Sequence, residues 1–297
     1  MKKSMPEPSK ISPTAKMVAY WRQFSDVPFA QDVARLVRAD EVFEDFLKHT
    51  STSSEHTAWF APMIEARYKS MVQAIRQKNI KQVLELASGV SLRGLAMTMD
   101  PEMIYVETDL PGMSEEKIAV VRQIREQQNI PERSNLFFRE VNVLERKQME
   151  EAVEPFFESR PIAVIHEGLF QYLSLEEKKI AATHIHLILK RFGGVWMTPD
   201  LNTVEDIEQR WQHSDAMKQL TDSIKTVTGR DFRKSAFQSE AHIQEFFEAL
   251  GFELQAFPQI APGLKLTSVE KLNLPQETVS SYAAHLKIWS LTVKSNN

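Results

Sequence analysis

The stretch KQVLELASG (81–89) decides the fold. It is a short apolar run that ends in small residues, and the rhythm of the chain changes there. Upstream, apolar residues recur at helical spacing: Val33, Leu36 and Val37, then Phe43, Phe46 and Leu47. Downstream, MIYVETD (103–109), NLFFREVNV (135–143), PIAVIHEG (161–168) and GGVWMTPD (193–200) repeat the short apolar run. Helical stretches at 92–99, 114–128, 145–153 and 175–191 separate them. Such alternation predicts βαβ units and a parallel sheet.

The flanks complete the plan. Residues 1–13 hold three prolines and three lysines and predict a flexible arm. Residues 14–78 predict a helical cap. Its polar loop HTSTSSEHT (49–57) ends in Ser54 or Thr57, either able to cap a helix running to Lys78. Residues 79–200 form the alternating core. Residues 201–240 are polar and helical, with Trp211, Met217 and Leu220 as anchors, and predict an insertion covering the sheet. In 241–297, AHIQEFFEALGFELQAF (241–257) predicts a helix stopped at Gly251 and then a strand. HLKIWSLTVK (285–294) predicts a second strand, antiparallel to it, so the sheet is mixed. The expected organisation is an arm (1–13) and one domain (14–297).

Composition narrows the function classes. A 42% apolar and 26% charged chain of 297 residues can bury a sizeable core. The net charge of −4 offers no global attraction to nucleic acid or to an anionic membrane, so neither is an expected partner. With no cysteine, disulfides, cysteine-ligated zinc and thiol nucleophiles are excluded. No apolar h-region follows the N-terminal lysines, and no apolar stretch reaches the ~20 residues that span a bilayer. The expectation is a soluble, cytoplasmic protein of open oligomeric state.

The first strand limits the ligand. A dinucleotide site shows G-x-G-x-x-G at this place. Here the run is Ala87-Ser88-Gly89-Val90-Ser91-Leu92-Arg93-Gly94, poor for wrapping two phosphates but adequate for a nucleoside without them. Asp109 follows Gly89 at about the 20-residue distance at which a carboxylate takes ribose hydroxyls. S-adenosylmethionine, which has a ribose and an adenine but no phosphate, fits both. The alternative at this level is that Glu107 or Asp109 caps the helix starting near Ser114.

VLELASGVSLRG, IYVETDLPGMSEEK and IHEGLFQYLS together resemble the leucine carboxyl methyltransferase family, S-adenosylmethionine-dependent O-methyltransferases with bacterial members associated with polyketide-type O-methylation. The family patterns are L-G-A-G-x-D-T-R, E-x-D-x-P with a following lysine, and E-G-L-x-x-Y-L. The likeness extends to SPTAKMVAYWRQFSDVPFA (12–30) and IEARYKSMV (64–72). It implies an α/β fold: a doubly wound, mostly parallel, seven-stranded Rossmann-like sheet of the class I methyltransferase type, with N-terminal helices and a helical insertion as cap. It also implies a cofactor site. Arg67 would pair with the methionyl carboxylate, its planar fork suited to two parallel hydrogen bonds, assisted by Lys16. Ala87 and Gly89 would let the backbone approach the cofactor, and Asp109 would take the ribose hydroxyls. Asn142 and Val143 would lie along the adenine, and Glu167 would face the methionyl amino group or the reacting methyl. Tyr172 stands near enough to Glu167 to touch substrate. The chain departs from the family pattern at Ala87, Ser91 and Asn142, where the family has glycine, aspartate and aspartate.

Other residues carry simpler readings. His184 and His186, at i and i+2 of a helical run, share no face and bind no metal. His166 points to the opposite face of its strand from Glu167 and packs. Lysines and glutamates at 115–117 and 145–151 are solvated helix faces. The Phe-Phe pairs at 137–138, 156–157 and 246–247 are core. The expected function is O-methyl transfer to a carboxylate or hydroxyl of a small molecule or peptide C-terminus. A carboxylate acceptor is ionised at neutral pH and needs no base, whereas a hydroxyl does. No side chain at a diagnostic position is a dedicated base, which favours an acidic acceptor. Two alternatives stand beside this reading: a nicotinamide-dependent oxidoreductase and a non-catalytic S-adenosylmethionine-binding protein.

Overall fold

The computed structural model describes residues 8–50, 53–213, 215–275, 277, 279 and 286–294. Five helices precede the sheet: α1 (Pro8–Arg22), α2 (Ala30–Leu36), α3 (Ala39–Lys48), α4 (Ser54–Thr57) and α5 (Phe60–Gln77). The alternating core follows as β1 (Gln82–Leu86), α6 (Arg93–Met97), β2 (Ile104–Asp109), α7 (Pro111–Gln128), β3 (Leu136–Glu140), α8 (Arg146–Ala152), β4 (Ile162–His166), a 3-10 turn (Phe170–Tyr172), α9 (Leu175–Phe192) and β5 (Gly194–Thr198). Then come α10 (Val204–His213), α11 (Asp215–Thr228), α12 (Phe232–Ser235), α13 (Glu240–Glu248), β6 (Phe252–Pro258), α14 (Thr267–Lys271) and β7 (Lys287–Val293).

The strands form one seven-stranded sheet in the order β3-β2-β1-β4-β5-β7-β6. Strands β1 to β5 are parallel, and β7 runs antiparallel to both β5 and β6. The architecture is α/β and Rossmann-like. Strands β1, β2, β4 and β5 bury both faces, which is why their sequences are apolar runs rather than strict alternations, while the edge strand β3 is only partly buried. On one face Leu84, Leu86, Val106, Val164 and Trp196 pack against Ile185 and Leu189 of α9 and Phe247 of α13. On the other, Val83, Tyr105, Ala163, Ile165 and Met197 pack against Met71 and Ile75 of α5. The chain leaves β1 outward to β2 and β3, then returns to place β4 on β1's other side. This reversal opens a crevice at the C-terminal ends of β1 and β4, where such sheets hold ligands.

Several elements differ from the sequence reading. Helix α1 begins at Pro8, so residues 8–13, read as arm, belong to a helix. A proline suits a first helical position because the N–H it lacks would have no partner there. The same reason starts α7 at Pro111 rather than Ser114. Lys117, read as part of a solvated face, is buried and pairs with Glu107 at 2.8 Å. Phe157 of the second Phe-Phe pair is 54% exposed. Its backbone is gripped by the Gln82 amide from within the sheet, which leaves the ring outside beside Arg160. Trp211 is half-buried, while the side chains of Met217 and Leu220 and residues 1–7 lie outside those described. Among the described residues no helix is long and apolar enough to cross a membrane.

Candidate active site

A cavity of about 230 Å³ lies over the C-terminal ends of the parallel strands. Each strand delivers side chains to it: Ala87, Ser88 and Gly89 after β1, Asp109 from β2, Val141 and Val143 after β3, Glu167 after β4 and Asp200 after β5. Trp21 and Arg22 of α1, and Phe60, Met63 and Arg67 of α5, close one side. Ile207, Arg210 and Trp211 of α10, Thr221 of α11, and Phe232 and Ser235 of α12 close the other.

The turn after β1 is shaped for close approach to a ligand. Ala87 and Gly89 both hold left-handed conformations, with φ of 49° and 53°. Strain at Ala87 is the cost of the methyl that stands in place of a glycine. The Asp109 carboxylate secures the turn: Oδ2 accepts the Gly89 N–H at 2.7 Å and Oδ1 accepts the Leu110 N–H at 2.8 Å. Each oxygen keeps a lone pair for a further donor. Burial pushes Asp109 above its ordinary value, with the two N–H donors opposing it. The hydroxyls of Ser88 and Ser91 are buried without a hydrogen-bond partner among the described residues, and both residues line the cavity.

A charged cluster lies under the opposite end. Glu167 forms ion pairs with Arg93, with Arg22 at 3.4 Å and with Arg67 at 3.6 Å. Arg93, fully buried, also pairs with Glu85, stands over the Tyr68 ring at 4.6 Å, and shares Glu85 with the Tyr105 hydroxyl at 2.7 Å. Burial pushes the Glu167 carboxyl up, but Arg93, Arg22 and Arg67 outweigh it and hold the group below its ordinary value. Burial pulls Arg22 below its ordinary value; Glu167 resists this, and Arg93 and Arg67 add to it. Three guanidiniums against two carboxylates leave an uncompensated positive charge. The Nε–H groups of Arg22 and Arg67 are buried without a hydrogen-bond acceptor among the described residues. An anion entering beside Arg22 and Arg67 would satisfy both deficits.

A second buried network fixes the backbone after β4. Gly168 takes a φ of 73°, which lets the chain fold back directly after Glu167. Asp200 then accepts the N–H groups of Gly168, Leu169 and Phe170 at 2.9, 2.7 and 3.1 Å and pairs with His166 Nδ1 at 2.9 Å. His166 is buried on the face opposite Glu167 and stacks on Phe170. Burial raises Asp200, but the His166 hydrogen bond and charge and the Gly168 N–H hold it below its ordinary value. His184 meets the Val143 carbonyl at 2.9 Å, and the His186 ring packs edge-on to Phe252.

Of the residues singled out from sequence, Arg67, Ala87, Gly89, Asp109, Val143, Glu167 and Tyr172 share this cavity. The Tyr172 hydroxyl is buried without a well-formed hydrogen bond among the described residues, and burial raises it to about 12. Two residues lie apart. Lys16 faces away from the cavity and pairs with Glu116 of α7 at 2.8 Å. Asn142 does not line it; its Oδ1 accepts the Leu144 N–H at 3.0 Å and shapes the turn before α8. Glu167 is the counter-ion of an arginine cluster rather than an open carboxylate. Sequence reasoning missed Arg22, Glu85, Arg93, Lys178, Asp200 and Arg210. Arg93 was legible, since it fills the arginine position of the quoted first-strand motif, and Arg22 sits inside the quoted N-terminal stretch. Among the described residues no group of three His, Cys, Asp or Glu is placed to hold a metal.

These features fit S-adenosylmethionine: a cationic pocket for its carboxylate, a left-handed turn with two orphaned hydroxyls, and a carboxylate for its ribose. Comparison with known proteins agrees. A family model described as leucine carboxyl methyltransferase matches residues 17–185. No curated protein matches the chain. Among solved structures, a DUF574 family protein from Streptomyces avermitilis is 13% identical, with 95% of this chain and 97% of that chain covered and a TM-score of 0.56. A proposed methyltransferase from Thermobifida fusca is 15% identical over 99% and 97%, with a TM-score of 0.54. A proposed O-methyltransferase from Nostoc punctiforme is 13% identical over 94% and 72%, with a TM-score of 0.50. At these identities the structural likeness speaks for the fold.

Proposed function

The chain belongs to the leucine carboxyl methyltransferase family, with S-adenosylmethionine as its cofactor, and from that premise we propose that it methylates an oxygen of a small, largely apolar acceptor of the polyketide type. The family membership sets aside the nicotinamide reading. The observation that carries the proposal is the two-part lining of the cavity. Its strand-end half is polar and charged, while its other half is walled by Trp21, Phe60, Met63, Tyr172, Trp211 and Phe232. Such a wall buries a flat apolar acceptor.

When bound, the cofactor supplies an electrophilic methyl group on a sulfonium. The chain's own residues supply binding, position and dryness. Arg22 and Arg67 would receive the cofactor's carboxylate, and Asp109 its ribose. Ala87 and Gly89 would bring the backbone close, and Val143 would pack beside the adenine. Glu167 keeps the arginines in place. The aromatic wall excludes water and holds the acceptor oxygen in line, from which most of the acceleration in such displacements comes.

Calorimetric titration with S-adenosylhomocysteine tests the cofactor half: binding by the wild type and at least tenfold weaker binding in Arg67→Ala and Asp109→Ala. Equal affinity in all three proteins would refute the assignment. Transfer of label from tritiated S-adenosylmethionine to phenols, benzoic acids, anilines and thiols tests the acceptor half. Label appearing only on nitrogen or sulfur would refute O-methylation.

A further inference from the structure

Lys178 sits in the second turn of α9, 2% exposed, and lines the cavity. Its neighbours among the buried cations are neutralised by carboxylates: Arg93 by Glu85 and Glu167, Lys117 by Glu107. Lys178 is not. Its Nζ donates to the Ser235 backbone carbonyl and lies 5.0 Å from the centre of the Phe237 ring. Asp200, the carboxylate that acts on it, is committed to His166 and three backbone N–H groups. A lysine buried without a paired carboxylate is costly to keep, and this one lines the same cavity as Tyr172 and Phe232.

We propose that Lys178 is the general base of this methyltransferase and that the acceptor is accordingly a hydroxyl, not a carboxylate. The inference rests on the O-methylation reading above and narrows its substrate class. A carboxylate acceptor would arrive ionised and leave a base idle. A phenol or enol arrives protonated and must lose its proton as it attacks. The acceptor's O–H bond breaks toward the neutral Lys178 amine, and its electron pair forms the new O–CH3 bond. The departing thioether sulfur keeps the pair of the broken S–CH3 bond, and the Lys178 ammonium then returns its proton to water.

The surroundings suit the task. Burial pulls the Lys178 ammonium down to about 8, with Asp200 opposing it only in part. About one chain in ten is therefore neutral at pH 7 and about half at pH 8. From α9 itself, Glu177 is taken by Arg230 at 3.0 Å. From α12, Arg233 pairs outward with Glu208. From α10, Arg210 shares the cavity wall, held by the Asp206 carbonyl and the Asn202 amide oxygen. Tyr172, raised to about 12 by burial, stays protonated in the same cavity.

The test compares wild type with Lys178→Met and Lys178→Gln. Calorimetry with S-adenosylhomocysteine first shows whether the cofactor site is intact. Affinity within twofold of wild type is expected in both variants, and failure of the wild type to bind overturns the cofactor reading and this inference together. In protein labelled with 13C at lysine Cε, one resonance should titrate near pH 8 and vanish in Lys178→Met; co-titration of every lysine near 10 overturns the proposal. With tritiated S-adenosylmethionine and a series of phenols of falling pKa, both variants should lose on the order of 10²- to 10⁴-fold in kcat on the least acidic phenols. The loss should shrink as the phenol becomes more acidic, and the alkaline rise near pH 8 should disappear. A loss independent of phenol acidity, turnover of benzoates but of no phenol, or release of labelled methanol from the product by mild alkali would each overturn it.

Discussion

Replacing Lys178 by methionine should stabilise the protein at neutral pH, although it removes a hydrogen bond. The ammonium titrates at about 8 in the folded chain against an ordinary value of 10.5. That gap corresponds to roughly 3 kcal/mol, at about 1.4 kcal/mol per pH unit. At 2% exposure solvent does little to relieve it. The sign follows from proton counting. Between pH 8 and 10.5 the unfolded chain binds a proton that the folded chain does not, so stability rises with pH across this window. Below pH 8 both states carry the charge and the folded state bears the full penalty. Methionine fills a similar volume with no charge, and leaves the Ser235 carbonyl without its donor at a cost of about 1–3 kcal/mol. The expected net gain at pH 7 is about 0–2 kcal/mol, shrinking and then reversing by pH 10. Urea unfolding of wild type and Lys178→Met at pH 7, 8.5 and 10 measures it. A variant destabilised equally at all three pH values, with the same pH slope as wild type, would show that the amine is not desolvated and would refute the reasoning.

Ala87→Gly should stabilise the chain by about 1 kcal/mol, because a left-handed φ of 49° strains any residue with a Cβ; thermal unfolding checks it, and S-adenosylhomocysteine affinity should hold. Asp109→Asn should weaken S-adenosylhomocysteine binding by at least tenfold in calorimetry, since the carboxylate supports the Gly89 and Leu110 N–H groups while presenting lone pairs to the ribose. Lys16→Ala should leave that affinity unchanged and cost under about 1 kcal/mol, its half-exposed pair with Glu116 being of the weak kind. Glu167→Gln should cost about 3–5 kcal/mol by stranding Arg22 and Arg67 and leaving Arg93 to Glu85 alone. In the wild type Glu167 and Asp200 titrate below their ordinary values in the fold. Their stabilisation is present above the unfolded carboxylate range and is lost as pH falls through the folded values, so Glu167→Gln should flatten the acid limb of a stability–pH curve.

The parallel core and the terminal antiparallel pair were legible in the chain, and the doubly wound order was implied by the family resemblance. They depend on local apolar periodicity and on the glycines that stop a helix or turn a strand. The strand-end residues Asp109, Glu167 and Gly89 were legible for the same reason, because a buried strand that ends in a carboxylate or a left-handed turn points at its own C-terminal crevice. What a side chain meets across the fold was not. Lys16 turned to Glu116, Asn142 to its own turn, and Lys117 to Glu107 beneath α7, since each found a partner distant in sequence or a local backbone group. Glu167 belongs to a cluster of arginines drawn from α1, α5 and α6, and no spacing rule links those helices. Lys178 occupies a position in register with the buried Ala181, Ala182 and Ile185 of α9, a signal masked by the charged run LEEKK around it. The sequence alone determined the fold and pointed to the strand-end crevice as the cofactor's expected place, because both follow from the order of local elements along a sheet. Only the tertiary structure decided which charges are paired and which are left for a ligand or a proton, because burial and ion pairing depend on every element that packs around a group.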